Sequence, residues 1–137
     1  MITINQYFGV WSSSQDVTGK VKQNAVELVA RVNALLADIA IAGIESPINQ
    51  KTKSQISGEV YGGFRPQDCP IGASSSSHKT GEGVDVFDPL GKIDAHIDRC
   101  PELLVKHNLY REHAKDTSTW CHLQTRKTKS GKRTFLP

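Results

Sequence analysis

The chain has 137 residues, a formal net charge of +3, 37% hydrophobic residues and 23% charged residues. This length and composition are typical of one soluble globular domain with a modest core. No apolar run approaches the roughly 20 residues that a membrane-spanning helix needs, which argues against such a helix. The N-terminus lacks a basic start followed by an apolar block, so we expect synthesis in the cytoplasm without a signal peptide.

The charge is unevenly distributed along the chain. We expect one domain over residues 1–137, with an irregular arm over residues 1–17 and a basic C-terminal segment over residues 127–137. No acidic residue follows Asp116. A basic segment favours a polyanionic partner such as peptidoglycan, teichoic acid or nucleic acid, and a solvated terminus is the alternative. Nucleic acid is the least favoured, because the charge run is short and lacks interleaved aromatic residues. The sequence does not indicate an oligomeric state.

Cys69, Cys100 and Cys121 make an odd number of cysteines, and no two of them form a CxxC pair. This argues against a structural zinc knuckle and against a complete disulfide framework. A bridge between Cys69 and Cys100 is one possibility. We expect free thiols instead, because buried cysteines of proteins without an export signal are usually reduced.

The clearest secondary structure is a long helix over residues 18–42. Its apolar residues recur at three- and four-residue steps, which is the pattern of an amphipathic helix: Val21, Ala25, Leu28, Val29, Val32, Leu35, Leu36 and Ile39. Thr18 is suited to the N-cap, and Gly43 is suited to ending the helix. We expect this helix to cover one side of a sheet.

Shorter elements follow the helix. The predicted strands are residues 56–65, 83–87, 109–111, 119–126 and 133–136, and a helix interrupted at Pro101 is predicted over residues 92–108. Residues 66–77 contain two prolines, a glycine and four consecutive serines, so we expect an irregular loop there. Helix first and several short strands afterwards, without regular alternation, predicts an α+β fold with an antiparallel sheet.

Three side chains form a candidate metal site: His78, Asp85 and His122. In the strand over residues 83–87, Val84 and Val86 face one side and Asp85 the other, so Asp85 should face a cleft. His78 precedes the turn that leads into this strand. Two imidazoles and one carboxylate match the ligands that zinc prefers, and a three-ligand site leaves one position for chemistry. The alternative is three unrelated polar residues on a half-exposed surface.

The downstream strand adds further candidates. Trp120, His122 and Gln124 share one face, while Cys121 and Leu123 share the opposite one. We therefore expect Cys121 to lie in the core, although it adjoins the candidate ligand His122.

These residues resemble a known family. Ser76, His78, Gly81 and Asp85 match the segment S-x-H-x-x-G-x-A-x-D, with Gly83 at the alanine position, and Trp120-Cys121-His122 matches a later W-x-H. Gly63-Phe64-Arg65 stands where an upstream S-G-x-R is usual. The chain resembles the zinc D-alanyl-D-alanine carboxypeptidases and L-alanyl-D-glutamate endopeptidases, a family that includes phage endolysins, and is most similar to its small phage-type members.

The resemblance implies a Hedgehog/DD-peptidase fold, an α+β domain with a zinc cleft on an antiparallel sheet. It implies zinc ligands at His78, Asp85 and His122. Arg65 would contact a substrate carboxylate or the polarised carbonyl, because its planar guanidinium binds carboxylate in a bidentate way. Ser76 would orient a ligand or the substrate, and Trp120 and Gln124 would contact the substrate.

One departure from the family concerns the general base. Family members place an acid three residues before the last zinc ligand, or a histidine two residues before it. Here those positions hold Thr119 and Trp120, and neither can accept a proton from water. The nearest candidates are Glu112, then Asp116, then His113.

The implied function is a zinc peptidase that cleaves stem peptides of peptidoglycan, at D-Ala-D-Ala or at L-Ala-D-Glu, in the cell wall. It would act in the host periplasm or as part of a virion. The alternative is a zinc-containing domain that binds the cell wall without cutting it, which the missing acid at position 119 favours.

Overall fold

The computed structural model describes residues 1–137. It contains four α-helices, which are α1 (Ile4–Phe8), α2 (Gly19–Ile41), α3 (Lys92–Arg99) and α4 (Glu102–Lys106). The four strands are β1 (Gly83–Phe87), β2 (Tyr110–Glu112), β3 (Trp120–Gln124) and β4 (Thr134–Phe135). Three single 3-10 turns lie at Gly9–Trp11, Ser77–Thr80 and Ala114–Asp116. None of the helices combines the length and the apolar character that crossing a bilayer requires.

The long helix α2 confirms the sequence prediction within one residue at each end. The hydroxyl of Thr18 accepts a hydrogen bond from the Val21 amide, which caps the first turn. Gly43 has a φ of +87°, the left-handed conformation that ends many helices. All eight predicted apolar residues are buried, so this face of α2 forms one side of the core.

The prediction of an irregular N-terminal arm is wrong for part of residues 1–17. Residues 4–8 form α1, which begins with a capping box between Thr3 and Gln6. Ile2, Tyr7 and Phe8 are buried in the core. A five-residue helix is too short to show a periodic pattern, and its stability comes from tertiary packing, which is why the sequence pattern did not indicate it.

The sheet has the strand order β1-β3-β2-β4. Strand β3 pairs antiparallel with β1 and with β2, but β4 pairs parallel with β2. The α+β class is therefore confirmed, while the sheet is mixed and not purely antiparallel. Strand β4 has only two paired residues, so its direction depends on the path of the loop after β3, which no local pattern encodes.

The predicted strand over residues 56–65 is wrong. Only an isolated bridge joins Ile56 to Val86, although Ser57 and Gly62 also hydrogen-bond to the backbone of Asp85. The amides of Phe64 and Arg65 donate to the carbonyl oxygens of Tyr7 and His78 and not to a neighbouring strand, and a Cβ on Gly63 would lie 2.1 Å from the Tyr7 carbonyl oxygen. The segment therefore flanks β1 irregularly and passes beside the candidate metal ligands.

The second helical region is confirmed as predicted, with an interruption at Pro101 between α3 and α4. The two carboxylate oxygens of Asp88 accept hydrogen bonds from the amides of Ile93 and Asp94, which stabilises the first turn of α3. All three cysteines are free thiols, as expected, and Cys121 lies in the core.

Candidate metal centre and its cleft

One row of side chains crosses the sheet on its cleft-facing side. Asp85 of β1 pairs with His122 of β3. Arg111 pairs with Leu123, so the next position places Glu112 of β2 opposite His122. Glu112 pairs in turn with Phe135 of β4. Paired residues on neighbouring strands point to the same face, so Asp85, His122, Glu112 and Phe135 form a continuous row.

His78 reaches this row from the 3-10 turn Ser77–Thr80. The Ser76 hydroxyl accepts a hydrogen bond from the His78 amide, which caps the turn. The ring nitrogen Nδ1 lies 2.7 Å from the carbonyl oxygen of Gly63. A carbonyl oxygen can only accept, so Nδ1 carries the proton and Nε2 has a free lone pair. That Nε2 lies 3.3 Å from Asp85 Oδ1.

His122 approaches the same carboxylate oxygen, with its Nδ1 2.9 Å from Asp85 Oδ1. Potential ligand atoms of His78, Asp85 and His122 all lie within 4.8 Å of one another. The three residues are only 3%, 9% and 7% exposed. Gathering these acceptor atoms away from water is costly unless a proton or a cation lies among them. The group can therefore hold a metal ion, and its nitrogen and oxygen donors fit zinc.

The electrostatics of the three groups reflect this crowding. Burial disfavours the charged form of Asp85, but the two imidazoles outweigh it and hold the pKa of Asp85 below its usual range. Burial also opposes the imidazolium of His122, but the hydrogen bond and charge of Asp85 raise the pKa of His122. For His78, burial wins and lowers the pKa. His122 therefore binds a proton more readily than His78 when no cation is present.

Gly83 makes this packing possible. A Cβ at this position would lie 2.2 Å from Ser77 Oγ and 3.1 Å from His122 Cε1. The absence of a side chain at Gly83 therefore allows the close approach of Ser77 and His122.

Arg65 lies beside the carboxylate of the group. Its Nη2 is 3.3 Å from Asp85 Oδ2, and its Nε donates to the Tyr61 carbonyl oxygen at 2.7 Å. The guanidinium therefore holds Asp85 with Oδ1 turned toward the two imidazoles. Its remaining nitrogen, Nη1, approaches the loop at Gly72.

A cleft of about 480 Å³ lies over the group. The side chains predicted from sequence to form the site all line it: Arg65, Ser76, His78, Asp85, Glu112, Asp116, Trp120, His122 and Gln124. His113 is exposed and is not among the lining residues; its ring accepts a hydrogen bond from the Lys115 amide.

The two acids of the cleft differ in their surroundings. Glu112 is half-buried in the cross-strand row, whereas Asp116 is exposed at the rim. Burial raises the pKa of Glu112, the charge of His122 lowers it, and the charges of Asp85 and Asp116 raise it further. Glu112 is therefore the acid whose proton affinity responds to the metal group.

Several supporting residues were missed by the sequence reasoning. Ser77 Oγ lies 3.4 Å from His122 Nε2, and the Tyr7 hydroxyl donates to the Gly83 carbonyl oxygen at 3.0 Å. The Arg126 side chain donates to the Ser75 carbonyl oxygen and to Thr80 Oγ1, which ties the serine loop to the end of β3. Only Arg126 lies near a sequence signal, because it directly precedes the basic segment over residues 127–137. The others depend on tertiary contacts.

A larger groove of about 650 Å³ lies between the loop after α2 and the start of α3. Its charged lining consists of Glu45, Asp88, Lys92 and Arg99, and Asp88 is already committed to capping α3. No His/Asp/His group lies there. The groove is therefore larger than the cleft over the candidate metal centre, but it lacks the ligand chemistry of a metal site.

Comparisons of the chain with family models, curated proteins and solved structures found no match.

Proposed function

We propose that the protein is a zinc metallopeptidase with a Hedgehog/DD-peptidase fold that cleaves stem peptides of peptidoglycan. The observation that carries this proposal is the convergence of His78, Asp85 and His122 in one buried group at the base of a cleft. Two segments of the chain, far apart in sequence, supply these ligands, and both match motifs of the zinc carboxypeptidases and endopeptidases.

Zinc held by these three residues would supply a Lewis acid that polarises a peptide carbonyl and lowers the pKa of water. Glu112 is the proposed general base. It is the neighbour of His122 in the cross-strand row, and it lies outside the set of atoms that could share one ion. Its raised pKa, caused first by burial, brings it closer to the range in which a carboxylate accepts a proton efficiently.

A base on β2 would take the place of the acid or histidine that the resembled family has at the positions of Thr119 and Trp120. Strand β2 borders β3 in this sheet. An acid beside His122 can therefore be supplied by β2 as well as by the segment before β3. The missing acid at position 119 therefore does not by itself favour a protein that only binds.

The remaining residues of the cleft bind the substrate. Arg65 would stabilise negative charge that develops on the carbonyl oxygen, through the guanidinium nitrogen that Asp85 and Tyr61 leave uncommitted. Trp120 would pack against the peptide, and Asp116 at the rim would meet its polar or cationic groups. The exposed lysines Lys127, Lys129 and Lys132 would add attraction to the anionic polymers of the wall.

Purified sacculi incubated with the protein and zinc test this proposal. Release of free D-alanine would indicate the carboxypeptidase reaction, and new amino termini in the stem peptide would indicate the endopeptidase reaction. His122→Ala is the matched inactive variant. Equal release by the two proteins would eliminate the proposal. A protein that pellets with sacculi and retains zinc but releases nothing would instead be a wall-binding domain.

A further inference from the structure

We infer that Gln124 is a positioning residue that fixes the tautomer of His122 and thereby directs the Nδ1 lone pair of His122 toward the metal. The inference rests on the metal site of the proposed function, but not on peptidase activity. Gln124 follows His122 by two residues on β3, so both side chains lie on the cleft-facing side of the sheet.

The direction of the Gln124 amide follows from its two partners. Its Nε2 lies 2.9 Å from the carbonyl oxygen of Arg126, and its Oε1 lies 2.9 Å from His122 Nε2. The Arg126 carbonyl can only accept, so the amide nitrogen must be the end that faces it. The amide oxygen then faces His122, and it too can only accept.

His122 Nε2 must therefore carry a proton to donate to Gln124. Asp85 Oδ1 is also an acceptor, at the same distance from Nδ1, so without an ion Nδ1 is a donor too. An ion that takes the place of this Nδ1 proton would meet the Nδ1 lone pair, while the Nε2 proton stays with Gln124. Nδ1 is also the nitrogen 2.9 Å from Asp85 Oδ1, at the side where an ion would be held. The chain of hydrogen bonds thus begins at a backbone carbonyl and ends by presenting a ligand atom.

Ser77 does not provide the same direction. Its hydroxyl lies 3.4 Å from His122 Nε2, against 2.9 Å for the Gln124 oxygen, and a hydroxyl can donate as well as accept. Gln124 is only 7% exposed, so water does not readily replace it. For His78 the equivalent partner is the backbone carbonyl of Gly63, which a side-chain substitution does not remove. Gln124 is therefore the side chain through which this control can be tested.

The direct test is nitrogen-15 NMR of the His122 ring in zinc-loaded protein. The wild-type ring should bind through Nδ1 and carry its proton on Nε2. Gln124→Met keeps the side-chain length but removes the acceptor, so the ring should populate both tautomers. Gln124→Glu keeps an acceptor for His122 and should retain the Nε2–H form. Gln23→Met, on the exposed side of α2, is the matched control and should resemble the wild type.

Zinc affinity supplies the second readout. Loss of a residue that orients a metal-ligating histidine typically weakens binding by about 10- to 100-fold. We expect Gln124→Met to lie in that range, Gln124→Glu to bind more tightly than Gln124→Met, and Gln23→Met to equal the wild type. Circular dichroism verifies that each variant is folded.

A wild-type ring that carries its proton on Nδ1 in the zinc-loaded protein would overturn the inference without any variant. Unchanged zinc affinity in folded Gln124→Met would also overturn it, while leaving the proposed function in place. Absence of zinc binding by the wild type would overturn both the inference and the proposed function. Intact zinc binding and tautomer without peptide release would contradict only the peptidase proposal.

Discussion

The two faces of the sheet treat charged residues in opposite ways. Arg111 and Glu112 are neighbours on β2 and point to opposite faces. Arg111 is buried and donates to the Asp94 carbonyl oxygen at 2.9 Å, to Asp94 Oδ1 at 3.0 Å, and to the Asp98 carboxylate. On the other face, Glu112 has no hydrogen-bond partner for its carboxylate and lies beside His122 and Asp85.

The two faces differ in whether the charged groups find partners within the chain. On the Arg111 face, both terminal guanidinium nitrogens meet acceptors within the chain and only the buried Nε of Arg111 lacks a partner, so this group is largely satisfied without a ligand. On the Glu112 face, two imidazole nitrogens converge on one carboxylate oxygen, and three acceptors share at most a proton. A buried group with too many acceptors is one that a cation would satisfy.

The largest effect on stability is expected on the Arg111 face of the sheet. Arg111→Met removes the partner of Asp94, which is 4% exposed, and leaves a buried carboxylate without compensation. We expect a loss of about 3–5 kcal/mol in the free energy of unfolding, measured by urea denaturation. Lys106→Met, which breaks an exposed pair with Asp38, is the control and should cost far less, because solvent screens an exposed pair. Equal losses in the two variants would show that the Arg111 network is not structural.

On the Glu112 face, Glu112→Gln removes a proton acceptor while keeping the shape of the side chain. We expect peptide release from sacculi to fall by about 10²- to 10⁴-fold, the range of general acid–base catalysis. Zinc affinity and the free energy of unfolding should remain near those of the wild type, because Glu112 is not one of the residues that converge on the ion. Asp116→Asn is the comparison variant and should retain more activity. The reverse order would assign the base to Asp116.

Gly83→Ala tests how closely Ser77 and His122 pack together on the Glu112 face. The added methyl group would lie 2.2 Å from Ser77 Oγ, so we expect a loss of about 1–3 kcal/mol from overpacking, with weaker zinc binding because His122 is also displaced. Gly19→Ala, at the start of α2 with no atom within 4 Å of the added group, is the control and should not destabilise the protein. A neutral Gly83→Ala would show that alanine, as in the resembled family, fits here without adjustment.

The smallest effect is a pH dependence from Glu112. Its pKa is raised in the folded protein, first by burial, so the folded state binds more protons than the unfolded state just above the ordinary pKa of glutamate. Stability contributed by the protonated form is present at low pH and is lost as the pH rises through that window. Relative to the wild type, Glu112→Gln should therefore gain stability as the pH rises above the ordinary pKa of glutamate, by less than about 1 kcal/mol because solvent screens the half-exposed group. A lower free energy of unfolding for Glu112→Gln than for the wild type in this pH range, measured by urea denaturation, would contradict the half-buried environment of Glu112.

The same contrast explains how much the sequence could predict. Periodicity was sufficient for α2, where eight apolar residues follow one helical face. Alternation was sufficient to separate Cys121 from His122, since a strand reverses its side chains at each residue. The metal ligands were predictable because two motifs resemble those of a family with a known ligand set, and His78, Asp85 and His122 do converge.

The parts that could not be predicted depend on register and tertiary contact. Glu112 was one of three candidate bases in the sequence, and only the pairing of β2 with β3 places it beside His122. Gln124 was expected to contact the substrate, but its amide is engaged by His122 and the Arg126 carbonyl. The residues 56–65 have a strand-like composition, yet contact with Tyr7 keeps them irregular. No local pattern contains this information.

The most direct test of the account is the zinc content and coordination of the purified protein. Equilibrium dialysis of the wild type should give one zinc ion per chain, and X-ray absorption should show a nitrogen- and oxygen-only ligand shell with two imidazoles. His78→Ala and His122→Ala should each lose the ion, while Lys106→Met should retain it. A wild-type protein that fails to retain zinc, or that retains it equally well without His78 and His122, would contradict the central claim.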